Sequence, residues 1–207
     1  MSLSPDLSSE LLLVLSDVDI SRVSAGLREV LEGCKDKFSQ VVCLGNVASS
    51  QSLDFVKSLN KNTFILKGDF DDSFILPSSR SFTMRSYTFA AIHGHQVFPW
   101  GDEESLLSHF NDLSFDIILT GTPPEPRLSK LYEKAIVSPG CLGGGREEGG
   151  AGREEGGGGR RREGGGRKEG GGSFCVLEIS NGVEGFWYRE ENGVVMVEKA
   201  TICQGKK

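Results

Sequence analysis

Three uninterrupted apolar runs, "LLLVLS", "QVVCLG" and "NTFILKGD", dominate the N-terminal third of the chain. An unbroken run of this length suits a strand covered on both faces, as in the middle of a parallel sheet. Between the runs lie two amphipathic stretches. "SRVSAGLREVLEG" sets Val23, Leu27, Val30 and Leu31 on one helical face, with Ser21 as its expected N-cap and Gly33 as its stop. "SSQSLDFVKSLN" does the same with Leu53, Val56 and Leu59. Strand, helix, strand, helix, strand in that order predicts a parallel sheet with right-handed crossovers.

The pattern continues with a strand in "SYTFAAIHG", a helix in "DEESLLSHFNDL" that opens on acids suited to its N-terminal dipole, and a strand in "FDIILTG". The last part changes character. "SFCVLEISNGVEGFWYREENGVVMVEKA" reads as three strands joined at Asn181-Gly182 and Asn192-Gly193, both strong hairpin signals. The whole is predicted to be an α/β sandwich with a mixed second sheet.

One segment stands apart. From Gly143 to Gly172 the chain holds only Gly, Arg, Lys, Glu and one Ala. It has no apolar side chain to offset ordering entropy, so the spacing predicts a disordered low-complexity insert. Its glutamates nearly cancel its arginines and no aromatic is interleaved to stack bases, which argues against a nucleic-acid tail. The predicted organisation is an extension over residues 1–10 and one domain formed by 11–142 and 173–207.

The formal charge is −6, against the basic face that nucleic-acid binding needs. Five scattered cysteines, Cys34, Cys43, Cys141, Cys175 and Cys203, show no C-x-x-C spacing and fit a reducing, cytoplasmic compartment. The start lacks a basic region, and its apolar run is too short to cross a bilayer. Any membrane role is therefore expected to come through a partner.

The loops after the buried strands share a composition. They supply Asp17 and Asp19, then Gly45 and Asn46, then Gly68, Asp69 and Asp71, then His93, Gly94 and His95. Carboxylates, an amide and a histidine on one sheet edge, with glycines that admit close backbone approach, are what a hard-metal or two-metal site needs. The loop after "FDIILTG" breaks the series. "GTPPEP" offers one hydroxyl and prolines, with nothing to move a proton.

This series resembles the calcineurin-like metallophosphoesterases, whose motifs run D-x-H, G-D, G-N-H-D, H-G and G-H-x-H at successive strand ends. Within that fold it is similar to the family of small retromer subunits, from Leu11 to Lys207 apart from the insert. "KGDFD", "IHGHQVFPWGD" and "SPG" at Ser138 to Gly140 carry the likeness most specifically. The resemblance implies an α/β sandwich of two mixed sheets flanked by helices. It also implies a worn catalytic set: Asp19 stands for a histidine, Asn46 for the bridging carboxylate and Asp69 for the ligand asparagine. Phe70 stands for the catalytic histidine, and Thr122 and Pro124 for the last two histidines. The implied vestigial metal set is Asp17, Asp19, Asn46, Asp69 and His93, enough for at most one weakly bound divalent cation and no resident cofactor.

The same resemblance implies a non-catalytic scaffold in endosome-to-Golgi and recycling transport. Val97, Phe98, Pro99 and Trp100 are then the contact with the large α-solenoid retromer subunit. An apolar pocket of Val176, Phe186, Tyr188 and Val197 receives small-GTPase regulators, while sorting nexins and the endosome membrane are reached through the complex. Two other readings stand beside it: a metal-dependent phosphodiesterase with an unusual site, and a metal-stabilised structural protein. Phe98 and Trp100 capping the core, and the C-terminal pocket as an ordinary sheet face, are the plain alternatives.

Overall fold

A computed structural model describes residues 9–72, 75–110, 114–144 and 171–205. β1 (Glu10–Leu15), β2 (Gln40–Cys43) and β3 (Thr63–Ile65) run parallel, with Leu13 opposite Val41 and Val42 opposite Phe64. Their crossovers are α1 (Ala25–Cys34) and α2 (Ser50–Leu59). Ser24, not Ser21, caps α1 by accepting from the Leu27 N–H. Ser21 is drawn into the preceding turn, where its N–H and hydroxyl both donate to Asp19 Oδ1. Gly33 lies inside α1, which passes into a 3-10 turn at Lys35–Lys37. β1 begins one residue before the expected domain boundary, at Glu10 opposite Ile179.

The C-terminal strands extend this first sheet. β9 (Ser173–Ile179) pairs antiparallel with β1, followed outward by β10 (Val183–Glu191) and β11 (Val194–Cys203). Asn192 and Gly193 both adopt positive φ, 53° and 79°, which the tight turn between β10 and β11 requires. A second sheet of five strands lies against the first. β5 (Tyr87–Ile92) and β6 (Ile117–Thr120) carry the apolar runs visible in the sequence. β4 (Ser79–Met84), β7 (Pro126–Leu131) and β8 (Lys134–Pro139) are additional. β5, β6 and β8 are parallel and the two edge strands antiparallel, so both sheets are mixed.

Period-two alternation divides the core into layers. Leu12, Val14, Val42, Leu44 and Leu177 meet Phe89, Ala91, Ile117, Leu119 and Val137 between the sheets. On the first sheet's outer face, Leu13, Leu15 and Val41 pack under Leu27, Leu31, Val56 and Leu59 of the helices. On the second, Ala90, Ile92, Ile118 and Ile136 pack under Leu106 of α3 (Glu103–His109) and Phe110. Residues 111–113 of the expected third helix lie outside the described residues. The five cysteines are free thiols, and burial raises that of Cys43 to about 12.

Most of the expected insert, residues 145–170, also lies outside the described residues. Its flanks belong to the fold. Gly143 N–H donates to the Asp17 carbonyl, and Glu190 N–H donates to the Gly172 carbonyl. Among the described residues no helix is long and apolar enough to cross a membrane.

Trp187 joins the layers, donating from Nε1 to the Ser138 carbonyl at 2.9 Å. Replacing Trp187 with Phe leaves that buried carbonyl without its donor and a void beside it. The expected loss is about 1–3 kcal/mol of unfolding free energy, read by urea titration followed by far-UV circular dichroism.

Candidate functional site

The carboxyl ends of β1, β2, β3 and β5 meet at the seam between the sheets. Asp17 and Asn46 leave their strands with φ of 52° and 59°, conformations that L-residues hold only when the surroundings impose them. Gly68 is required by proximity: a Cβ there would lie 2.0 Å from Asn46 Oδ1. Gly94 combines φ of +108° with a would-be Cβ 2.0 Å from Thr122 Oγ1, so the buried Thr122 side chain abuts the histidine loop.

Asn46 sits at the centre. Its amide nitrogen approaches Asp17 Oδ1 at 2.9 Å, Asp69 Oδ1 at 2.9 Å and His93 Nε2 at 3.1 Å. Its amide oxygen accepts from the Phe70 N–H at 3.0 Å, which fixes which end of the amide faces the acids. His93 is 3% exposed, with Nδ1 3.2 Å from the Leu44 carbonyl and Nε2 3.2 Å from Asp69 Oδ1. Ser16 donates to Asp17 Oδ2 at 2.8 Å. Asp71 holds the loops together instead of facing the centre, accepting from the N–H groups of Asn46, Val47 and Gly68.

The two central acids titrate in opposite directions. Burial raises the Asp17 carboxyl above its usual range, against the bonds from Asn46 and Ser16 and the attraction of His93. Asp69 is held below its usual range. Partial burial opposes this, but the Asn46 amide, the Asp69 N–H, His93 and His95 together outweigh it. His95 is depressed by burial first and then by neighbouring His93, with Lys67 acting the same way and Asp69 against.

Of the sequence-derived metal set, Asp17, Asn46, Asp69 and His93 come together. The Asp19 carboxylate is turned to Ser21. His95 joins instead: one ligand atom from each of Asp69, His93 and His95 lies within 4.8 Å of the others. The H-x-H spacing of "HGH" was the available signal, and the turn at Gly94, with φ of +108°, brings the two rings to centroids 5.3 Å apart. Thr122 is buried against Thr120, while Pro124 and Phe70 face outward, Phe70 83% exposed.

The next loop carries the aromatic stretch. Val97 points inward, packed with Leu106 and Phe110, and so is a support for the loop and not part of its outer face. Phe98 is 89% exposed and Trp100 57%, with Pro99 exposed between them. Neither aromatic caps the core. Backbone bonds from Val97 N–H to the Gly94 carbonyl and from Asp102 N–H to the Pro99 carbonyl close the loop on itself. Asp102 then caps α3 through the Ser105 N–H at 2.8 Å.

The C-terminal four also share a face. Val176 lies opposite Phe186, and Tyr188 opposite Val197. Val176 is buried, Phe186 and Tyr188 are half-buried, and Val197 is 52% exposed, giving an apolar slope beside α1. Tyr188 stacks on Phe174 with centroids 4.7 Å apart, and Lys199 Nζ lies 5.2 Å over the Phe186 ring.

No family model matches the chain. The vacuolar protein sorting-associated protein 29 of Schizosaccharomyces pombe is 29% identical over 138 residues, which are 65% of this chain and 73% of that protein. The crystal structure of wild-type Vps29 from Entamoeba histolytica complexed with Zn2+ superposes with a TM-score of 0.74 at 25% identity, covering 93% of this chain and 99% of that one. A conserved uncharacterised protein from Streptococcus pneumoniae, described as a predicted phosphoesterase, superposes at 0.60 with 15% identity, covering 93% of this chain and 99% of its own. That last likeness is one of fold: two mixed sheets flanked by helices, as in metallophosphoesterases.

Two substitutions separate the acids. Because burial raises the Asp17 carboxyl, its folded state loses stability as pH rises from the unfolded value through the folded one. Asp17→Asn is therefore expected to raise the melting temperature at pH 7, with the gain vanishing below about pH 3, where both states are protonated. Asp71→Ala strips the acceptor from three N–H groups and is expected to cost about 3 kcal/mol at neutral pH in the same thermal and urea assays.

Proposed function

This chain is a divergent member of the Vps29 family, and from that premise we propose that it acts as a non-catalytic scaffold subunit of retromer. In this reading the strand-end face and the aromatic loop dock onto the large α-solenoid subunit. The observation that carries the proposal is Phe98: a large apolar side chain, 89% exposed, on a loop anchored from beneath by Val97. Aromatic anchors on preorganised loops concentrate binding energy, because little conformational freedom is lost when they are covered. Trp100, two residues on in the same loop, and Phe70, on the loop after β3, are exposed as well.

The chemistry of the strand ends supports a binding role over a catalytic one. Two-metal phosphoester hydrolysis needs a bridging anion between the ions and a proton donor for the leaving group. Asn46 presents amide hydrogens to the centre where a bridging carboxylate would present lone pairs. Phe70 brings no titratable group, and Thr122 and Pro124 bring no imidazole. The phosphodiesterase reading draws only on Asp17, Asp69 and His93. It predicts turnover of bis(4-nitrophenyl) phosphate with added Mn2+, where the scaffold reading predicts none above buffer.

A second face, Val176, Phe186, Tyr188 and Val197, is proposed to receive short apolar segments of small-GTPase regulators. Sorting nexins and the endosome membrane are reached through the assembled complex. The charge of −6 fits partners other than nucleic acid.

Pull-down of the chain by the C-terminal half of its own large solenoid subunit tests the principal contact. Phe98→Asp is expected to weaken it at least about thirtyfold, the scale of a hot-spot loss. Unchanged binding in Phe98→Asp overturns the docking assignment. Tyr188→Ala should leave solenoid binding within about twofold while abolishing capture of a regulator peptide, and loss of both together would count against separate surfaces.

A further inference from the structure

We propose that the open side of the sandwich, between β3 and β4, receives an extended acidic segment of a partner protein, with Arg80 as the carboxylate-binding group. The two long sides of the sandwich end differently. On one, Lys130 of β7 donates to the Thr201 carbonyl of β11, and so bridges the sheets. On the other, β3 and β4 are the last strands of their sheets. Among the described residues β3 pairs only with β2, and β4 only with β5. Their outer backbone edges can therefore take the hydrogen bonds of an added strand.

Alternation along β4 turns Arg80 to the same face as Phe82 and Met84, which pack in the core between the sheets. Its guanidinium stands over the Phe64 ring, 4.6 Å from the centroid, and Phe64 meets Phe82 edge-on at 5.2 Å. The cation is thus placed by a ring and not by an acid. Among the described residues no carboxylate lies within ion-pair distance of it. Its fork of N–H donors suits both oxygens of an incoming carboxylate. Arg80 shares a groove of about 270 Å3 with Gln40, Asn62, Thr63 and Phe64, room for a side chain and a short stretch of backbone. Beyond the end of β3, the Lys67 N–H donates to the Pro77 carbonyl at 2.9 Å and joins the two walls.

The approach to this groove is basic, on a chain whose formal charge is −6. Asn60 donates to the Phe38 carbonyl at 2.6 Å and Asn62 to the Ser39 carbonyl at 3.2 Å. Those bonds tie together the loops that carry Lys37 and Lys61, and Lys57 stands in the last turn of α2 just before them. All three lysines are exposed, and among the described residues none has an acid partner. Asp36 and Asp54, on the same elements, do not line the groove. Uncompensated cations gathered in one place attract an anion. Nucleic acid or an anionic membrane needs a broad basic face, which the overall charge denies. A peptide bearing a few carboxylates needs only the groove. This surface lies apart from the aromatic loop and the C-terminal slope, and it stands or falls independently of solenoid docking.

Fluorescence polarisation of the full chain with a fluorescein-labelled peptide of alternating Glu and Val tests the site, beside a counterpart with Gln for Glu. Expected are saturable binding of the acidic peptide, weakened by added NaCl, and none of the neutral one. Arg80→Met keeps an unbranched cover on Phe64 and should weaken the acidic peptide at least about tenfold. Arg80→Lys keeps the charge without the fork and should weaken it severalfold. Arg127→Met alters the net charge as much as Arg80→Met and should leave binding within about twofold. Far-UV circular dichroism of each variant keeps the comparison to folded protein, and Arg80→Met should leave the solenoid pull-down unchanged. Four results would overturn the proposal: no binding of the acidic peptide by the wild-type chain; equal affinity for the Gln counterpart; equal losses in Arg80→Met and Arg127→Met, the mark of net charge alone; or capture by phosphatidylserine vesicles in place of the peptide.

Discussion

Two sheets bury one face each against the other, and the position of every strand end follows from that contact. In β1, Leu12 and Val14 look toward the second sheet while Leu13 and Leu15 look toward the helices. Continued by one residue, the alternation points Ser16 into the seam, where it is fully buried beside Gly121 of the opposite sheet. His93, at the end of β5, bonds across the same seam to the Leu44 carbonyl of the first sheet. The site is thus not mounted on one sheet edge. It is the place where two edges, held about 10 Å apart by their shared core, run out of apolar side chains together.

Such a seam is an expensive place for a carboxylate, and the two central acids meet the cost differently. Asp69, nearer solvent, gains enough from the Asn46 amide and the two histidines that ionisation is favoured. Asp17 lies deeper, and the same amide does not compensate its loss of water. Left-handed backbone at Asp17 and at Asn46 adds further strain on the same small surface. Polar groups and strain of this kind destabilise a fold and persist where a surface is used. The bonds to Asp71 supply the opposite effect, fixing three loop N–H groups to one carboxylate so that the strained residues have a firm base.

How much of this was legible from the sequence depended on how each element is covered. β1, β2, β5 and β6 are buried on both faces, and their unbroken apolar runs announced them. β4 and β7 are edge strands that expose polar residues without a clean alternation, and β7 opens on Pro126, a residue that argues against a strand unless the strand lies at an edge. The Asn-Gly pairs gave both C-terminal hairpins, but local signals could not say which sheet they join; the pairing of Leu13 with Val176 decides that. At the site, residue type identified Asp17, Asn46, Asp69 and His93, because each follows a recognisable strand. The H-x-H spacing offered His95, but no spacing rule removes Asp19 from the set. The nearby Ser21 offers Asp19 two donors, whereas among the described residues His95 Nδ1 has no hydrogen-bond partner.

The aromatic loop and the C-terminal slope belong to different layers, and that separation has consequences for binding. Phe98 and Trp100 follow β5 in the second sheet, on a loop anchored through Val97 in the cluster beneath α3. Val176, Phe186 and Tyr188 lie on the outer face of the first sheet, beside α1. Between them stands the inter-sheet core, whose fully buried Leu12, Phe89, Leu119 and Leu177 leave little room for one layer to shift relative to the other. A side chain replaced on one surface therefore has no soft route by which to disturb the other, and ligands bound at the two should add nearly independent free energies. Coupling between them needs a second arrangement of the sandwich, and a core packed through Trp187 and Ser138 disfavours one. A rigid body with two separate apolar faces can hold two partners at a fixed relation, which is what the proposed scaffold role requires of its fold.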